Sequence, residues 1–197
     1  MKRRVVLILL LSIHAFFIIA QENNFKAMLE KCWTELEKNG GDFTERSKCL
    51  LDLAAPNFQA KTTTGEGIEL TKLRGQVVVL YFFYHSCGTP CDAQIPALNE
   101  VVKKYRFEDV KFIALADDSE PELVDAYLRE QPFEFKVIPL AQDIIWETFA
   151  NPAGFPALMV IDRGGKIKHF NPGGPTEKDM IQQNMDKLKT VIDQCLH

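Results

Sequence analysis

Between Val77 and Tyr84 the chain runs VVVLYFFY without a charged or amide side chain, and on either side of this run apolar residues recur at steps of two or of three to four. An uninterrupted apolar run suits a strand covered on both faces, whereas stepped patterns suit helices and strands with one buried face. From Asn24 to Lys38, the residues Phe25, Met28, Leu29, Cys32, Trp33 and Leu36 keep a helical period that Asn39-Gly40-Gly41-Asp42 stops. A second short helix fits Phe43 to Ala54, capped by Asp42 or Thr44, with Cys49, Leu50 and Leu53 facing inward. Pro56 ends it and sets an extended entry. Phe58 to Thr63 and Ile68 to Thr71 predict two strands about a Gly65-Glu66-Gly67 turn, ahead of the buried strand. Ala93 to Tyr105 predicts an amphipathic helix and Lys111 to Ala116 a short buried strand. Asp117-Asp118-Ser119 then predicts a cap for a helix from about Pro121 to Glu130. Phe135 to Leu140 reads as a strand and Asp143 to Phe149 as a short helix. Ala157 to Asp162 and Lys166 to Phe170 read as a hairpin about Arg163-Gly164-Gly165. Thr176 to Asp179 has the form of a capping box opening a last helix through Met180, Met185, Leu188, Val191 and Ile192. Helices alternating with strands, closed by a hairpin and a helix, predict an α/β fold: a three-layer sandwich around a mixed sheet.

The first 20 residues change where this fold is expected to work. Lys2, Arg3 and Arg4 precede an apolar run from Val5 to Ile19 that only Ser12 and His14 interrupt, and small Ala20 precedes Gln21. That is the pattern of a secretory signal peptide cleaved near Ala20; an uncleaved anchor is the alternative, but the run is short of the roughly 20 residues a spanning helix needs. The expected organisation is a signal peptide at 1–20, a helical hairpin extension at 21–54 and an α/β domain at 55–197, in a periplasmic or otherwise exported protein. The formal charge of −4 becomes more negative once the three basic leader residues are removed, which argues against nucleic acid as a partner.

Export also gives meaning to the five cysteines, Cys32, Cys49, Cys87, Cys91 and Cys195, because disulfides persist outside the cytosol. Cys32 and Cys49 are equally distant from the Gly40-Gly41 turn, so an antiparallel hairpin would set them level and allow a structural disulfide worth about 2 to 4 kcal/mol. Two separately buried thiols are the alternative. Cys195 keeps a helical spacing from Val191 and Ile192 and reads as a buried helix residue, with a free thiol or a dimer link as alternatives.

Cys87-Gly88-Thr89-Pro90-Cys91 follows the apolar strand directly and opens the next helical segment. A thiol delivered to the first turn of a helix meets backbone N–H groups and a dipole that favour the thiolate. Cys87 is therefore the expected nucleophile and Cys91, one turn further in, the resolving thiol. Gly88 allows the tight turn, and Pro90 fits a helix start where its missing N–H is no loss. His85 is the candidate to supply positive charge beside the sulfur, against the alternative of a solvated histidine next to a turn.

These residues resemble the TlpA/ResA-like group of exported thiol-disulfide oxidoreductases, thioredoxin-fold members of the AhpC/TSA-redoxin superfamily. The resemblance covers roughly Ala55 to Leu196 and rests on APNF, on ELTKLRGQVVVLYFF before the cysteines, on CDAQIPALNEVVKKY after them, and on GFPALMVIDRGGKI. It implies a thioredoxin-like α/β/α sandwich in which a cis-proline, Pro156, faces the cysteines and the backbone of Phe155 pairs with a bound substrate chain. It also implies a protein thiol or disulfide as substrate, a membrane or periplasmic electron donor, and no cofactor. Two departures stand out: Ser86 replaces the tryptophan usual before the first cysteine, and CxxxC replaces CxxC. No carboxylate lies on Val77 to Tyr84, where thioredoxins often hold a buried acid.

Two other readings use the same cysteines. CxxxC is also the spacing of Sco-like copper chaperones, and two thiolates with a histidine suit Cu(I). The Sco-like histidine should lie on the loop that here reads Asn151-Pro152-Ala153-Gly154-Phe155-Pro156, and none does; His85 is the substitute, while His169 and His197 lie elsewhere. A peroxiredoxin-like peroxidase needs a hydroxyl three residues before the reactive cysteine and an arginine in reach; Tyr84 and Gly88 hold those positions, and Arg74 is the nearby arginine. The reading adopted is an exported thiol-disulfide oxidoreductase acting as a reductant through Cys87 and Cys91, without a metal.

Overall fold

The computed structural model describes residues 24–41, 43–151 and 154–197. The apolar leader at 1–20 and the caps assigned to Asp42 and Thr44 lie outside what it describes. Helix α1 (residues 24–38) and a 3-10 helix, Phe43–Leu50, precede a two-stranded antiparallel sheet of β1 (Gln59–Lys61) and β2 (Gly67–Glu69). Strand β3 (Val77–Phe83) leads into the short helix α2 (Thr89–Asp92) and then α3 (Ile95–Lys104). The middle of the chain supplies β4 (Val110–Ala116), α4 (Pro121–Glu130) and β5 (Lys136–Ile138). A π-type turn at Asp143–Thr148 precedes the hairpin of β6 (Ala157–Ile161) and β7 (Ile167–Pro172), and α5 (Lys178–Leu196) ends the chain.

The main sheet has the order β5-β4-β3-β6-β7, with β3, β4 and β5 parallel and β6 and β7 antiparallel to their neighbours. Every residue of β3 is buried, as an all-apolar central strand requires. Its alternate side chains enter two different cores. Val77, Val79, Tyr81 and Phe83 pack with Cys91, Leu98, Tyr127 and Met185 from α2, α3, α4 and α5. Val78, Leu80 and Phe82 pack with Phe25 and Leu29 of α1, Leu50, and Ile145 of the π-type turn. The N-terminal segment thus covers the second face of the sheet. Without it, side chains such as Phe82, worth about 1.5 to 3 kcal/mol each when buried, would lose part of their cover.

Several elements differ from the periodicity reading, each for a local reason. The segment Phe43 to Ala54 is not one α-helix. A 3-10 helix stops at Leu50, because Asp52 takes φ 64° and donates to Ile167, Ile167 donates to Leu53, and Ala55 donates to Gly165. Pairing with the edge of the sheet outcompetes another helical turn there. The helix expected over Ala93 to Tyr105 is interrupted before Ile95, since Pro96 has no N–H to give the carbonyl of Asp92. Asp117-Asp118-Ser119 does not cap α4, whose N-cap is Glu120 without a side-chain bond. Asp117 is bound instead by Trp146 Nε1 and Asp118 by His85. The capping box at Thr176 is likewise not formed: α5 begins after Glu177 with no side-chain cap.

Candidate functional site

Strand β3 ends at Phe83, and the chain turns through Tyr84-His85-Ser86-Cys87, closed by the Cys87 N–H donating to the Tyr84 carbonyl at 3.1 Å. Gly88 at φ 71° then reverses the backbone into α2, a conformation a side chain at this position would oppose. Cys87 and Cys91 are bridged, with Cα atoms 5.8 Å apart. Their burial differs sharply: Cys91 is fully enclosed in the core under α2, whereas Cys87 is only partly covered. Below Cys91 lie Tyr81 and Phe83, stacked with ring centroids 6.1 Å apart. Burial, then the neighbouring Tyr127 and Asp92, push the Tyr81 phenol up, and burial together with the bond to Asp92 pushes Tyr127 up. Both phenols therefore stay protonated near neutral pH. Tyr127 donates to Asp92 at 2.7 Å, tying α4 to the cysteine helix.

The Phe155–Pro156 peptide is cis, and the Pro156 carbonyl accepts the Gly173 N–H at 2.7 Å. A Cβ placed on Gly174 would lie 2.7 Å from the Pro90 carbonyl oxygen and 2.8 Å from Pro156 Cγ. The cysteine turn and the proline loop therefore close on the same glycine. Buried Gln94 donates to the Pro90 carbonyl at 2.7 Å within the cysteine segment, and its Nε2 would lie 2.0 Å from the same Cβ. Phe155 lies next to Tyr84, with centroids 5.3 Å apart, and next to Trp146 at 5.6 Å. The antiparallel register explains the first contact, because Phe82 pairs with Ala157 and the next residues in step are Tyr84 and Phe155. Trp146, 44% exposed, makes this an accessible aromatic face. Sequence reasoning missed Trp146; its short segment carries no periodicity that points to the cysteines.

His85 is not a free solvated side chain. Its backbone N–H donates to Asp118 Oδ2 at 3.1 Å and its ring Nδ1 forms a close hydrogen bond with Asp118 Oδ1. Asp118 is the second residue that sequence reasoning missed, having assigned it to a helix cap. Cys32 and Cys49 form the second disulfide, away from this site, with Cα atoms 5.9 Å apart. Cys195 is a free, partly covered thiol near the end of α5, and burial first, with Asp162 adding to it, pushes it up, away from thiolate chemistry. His169 is buried on β7, and burial, with Lys187, pushes it down to about 4. Among the described residues, no three His, Cys, Asp or Glu side chains gather as a metal site, and no helix is long and apolar enough to cross a membrane.

Comparison with known proteins agrees with this architecture. The model of the AhpC/TSA family matches residues 51–170. The thiol-disulfide oxidoreductase ResA of Bacillus thuringiensis (strain Al Hakam) is 31% identical over 149 residues, covering 75% of this chain and 84% of the relative. ResA of Halalkalibacterium halodurans is 31% identical over 152 residues, covering 75% and 82%. A crystal structure from Chlorobium tepidum, assigned as the thiol:disulfide interchange protein DsbE, superposes with a TM-score of 0.64 at 26% identity, covering 73% of this chain and 96% of that one. With the family model spanning residues 51–170, which include the strand, the cysteine turn and the proline loop, and ResA 31% identical over three quarters of the chain, the chain belongs to the AhpC/TSA family, among the ResA-like thioredoxin-fold thiol-disulfide oxidoreductases.

Proposed function

We propose that this oxidoreductase exchanges disulfides with protein thiols through Cys87 and Cys91, with Cys87 attacking and Cys91 resolving. The difference in burial carries the assignment: Cys91 is closed off beneath α2, and Cys87 is the sulfur a partner can reach. In the reductive direction the Cys87 thiolate attacks one sulfur of the partner's disulfide, forming a mixed disulfide and releasing the partner's other sulfur as a thiolate that takes up a proton. Cys91 then loses its proton and attacks Cys87, so the partner leaves as a dithiol and the protein keeps the bridge. The pair gives up two electrons in each cycle, and a thiol donor must restore them.

The reductive direction is supported by the surroundings of Cys91. It is packed against Tyr81 and Phe83, whose strand carries no charged residue, so nothing on β3 holds the resolving sulfur as a thiolate. The Phe155 backbone beside cis-Pro156 is the proposed docking edge for the partner chain, flanked by Tyr84 and Trp146. The basic and apolar leader supports work outside the cytosol, in the periplasm or another exported setting.

Trapping tests the assignment. In Cys91→Ser the mixed disulfide cannot be resolved, so the partner should accumulate on Cys87 and be released by dithiothreitol. Accumulation in Cys87→Ser instead would reverse the two roles, and none in either variant would end the exchange reading. Equilibration of the pair against a glutathione or dithiothreitol series reads the direction, a midpoint above that of the glutathione pool contradicting reduction.

A further inference from the structure

Strands β3 and β4 pair in parallel with Phe83 opposite Ala116, and the Asp117 N–H continues the ladder to the Phe83 carbonyl at 2.8 Å. Two residues on, the same register sets Asp118 opposite His85, 33 positions away in the chain. The Asp118 side chain is 2% exposed, and among the described residues its donors are both from His85: the backbone N–H and ring Nδ1. A carboxylate accepts only, so Nδ1 carries the proton, and Nε2 is left as the ring nitrogen that can take or release one. The His85 ring is 34% exposed, so this nitrogen is not sealed in the core. The backbone bond also holds the second residue of the turn that the Cys87 N–H closes.

We propose that Asp118 is a positioning residue for the Cys87 thiol, acting through His85: it fixes the turn and the ring tautomer so that His85 carries positive charge beside the thiolate and accepts its proton. This deepens the exchange function proposed above and rests on it. In the step assigned to it, the Cys87 S–H bond breaks, the proton passes to Nε2, and the electron pair stays on sulfur for attack on the partner's disulfide. The proton later goes to the departing partner thiolate, so no further reactant is needed. The buried acid that β3 lacks is thus supplied from the end of β4, through an imidazole.

The other ionisable groups at this end of the sheet make their contacts elsewhere, and Asp117 Oδ1 is buried without a hydrogen-bond partner among the described residues. Asp117 is bound by Trp146 Nε1 at 3.1 Å from the π-type turn, Asp92 on α2 by Tyr127 of α4 at 2.7 Å, and Tyr84 lies against Phe155 of the proline loop. None of these contacts is to His85.

The test is the pH dependence of iodoacetamide alkylation of Cys87, read on its peptide by mass spectrometry in the fully reduced chain. An imidazolium partner lowers a thiol's pKa by a unit or more, and one unit is tenfold in thiolate below the pKa. Asp118→Asn and His85→Ala should each slow alkylation about tenfold at pH 6 and converge on wild type at high pH, where every thiol is ionised. The double variant should match His85→Ala alone. His85→Asn, which keeps a donor for Asp118 but cannot titrate, should behave as His85→Ala. The inference is overturned if Asp118→Asn leaves the profile unchanged, if His85→Ala does, if His85→Asn retains wild-type rates, or if the two effects multiply in the double variant. Failure of Cys91→Ser to trap a partner would overturn the exchange reading; a normal trap with an unshifted profile would overturn the role of Asp118 alone.

Discussion

Replacing Gly174 by alanine drives a methyl group into the junction between the cysteine turn and the proline loop. The new Cβ would stand 2.0 Å from Gln94 Nε2, 2.7 Å from the Pro90 carbonyl oxygen and 2.8 Å from Pro156 Cγ. The end of the Gln94 side chain can swing away, but then it gives up its bond to Pro90 inside a buried site, at about 1 to 3 kcal/mol. The Pro90 carbonyl and the Pro156 ring cannot rotate aside, and overpacking against them costs another 1 to 3 kcal/mol or so. A total loss of about 2 to 6 kcal/mol lowers the melting temperature of a chain this size by roughly 4 to 24 °C. Gly173→Ala is the control: it meets nothing within 4 Å, and only its φ of 75° opposes a side chain, at about 1 to 2 kcal/mol. Urea unfolding and the rate of disulfide exchange are measured on both. Gly174→Ala should be the less stable and, by parting Pro156 from the cysteine turn, the slower in exchange. A Gly174→Ala protein within 1 kcal/mol or so of wild type, or no worse than Gly173→Ala, would show that the two loops are not held against each other as described.

The Cys32–Cys49 bridge spans 17 residues, so its removal in a Cys32→Ser, Cys49→Ser variant should lower stability by about 3 kcal/mol in urea unfolding. The rate of exchange at Cys87 should hold below the transition, and its loss there would tie the N-terminal cover to the chemistry. His169 predicts an acid sensitivity. Its folded pKa of about 4 lies below the ordinary 6.5, so the unfolded chain binds the extra proton between them. The stability concerned is intact above pH 6.5 and lost as pH falls through about 4, a total of about 3 kcal/mol. His169→Leu should flatten the melting temperature between pH 7 and 4 relative to wild type; an unchanged slope would place the sensitivity elsewhere.

Local chemistry settled much of this protein in advance. An all-apolar run can only be a central strand or its equivalent in a core, so Val77 to Phe83 was legible, as were the span of the helix from Pro121 to Glu130 and a helix that opens just after Cys87 and contains Cys91. Where two neighbours compete for one residue, sequence pattern loses its grip. Asp118 has the composition of a helix cap, and it caps nothing because a backbone amide and an imidazole reach it first. Leu51 to Ala54 could extend a helix, but the edge of the sheet takes their backbone groups.

What the chain alone determined is therefore most of the elements and the cysteine pair that follows the central strand; what tertiary structure decided is which residues stand beside that pair. Strand register is a property of two segments at once, and a shift of one residue would turn every side chain to the other face. The parallel register of β3 and β4 brings Asp118 to His85, and the antiparallel register of β3 and β6 brings Phe155 to Tyr84. No local signal near Cys87 encodes either meeting, because the partners lie far along the chain and are chosen by how two apolar strands pack into one sheet.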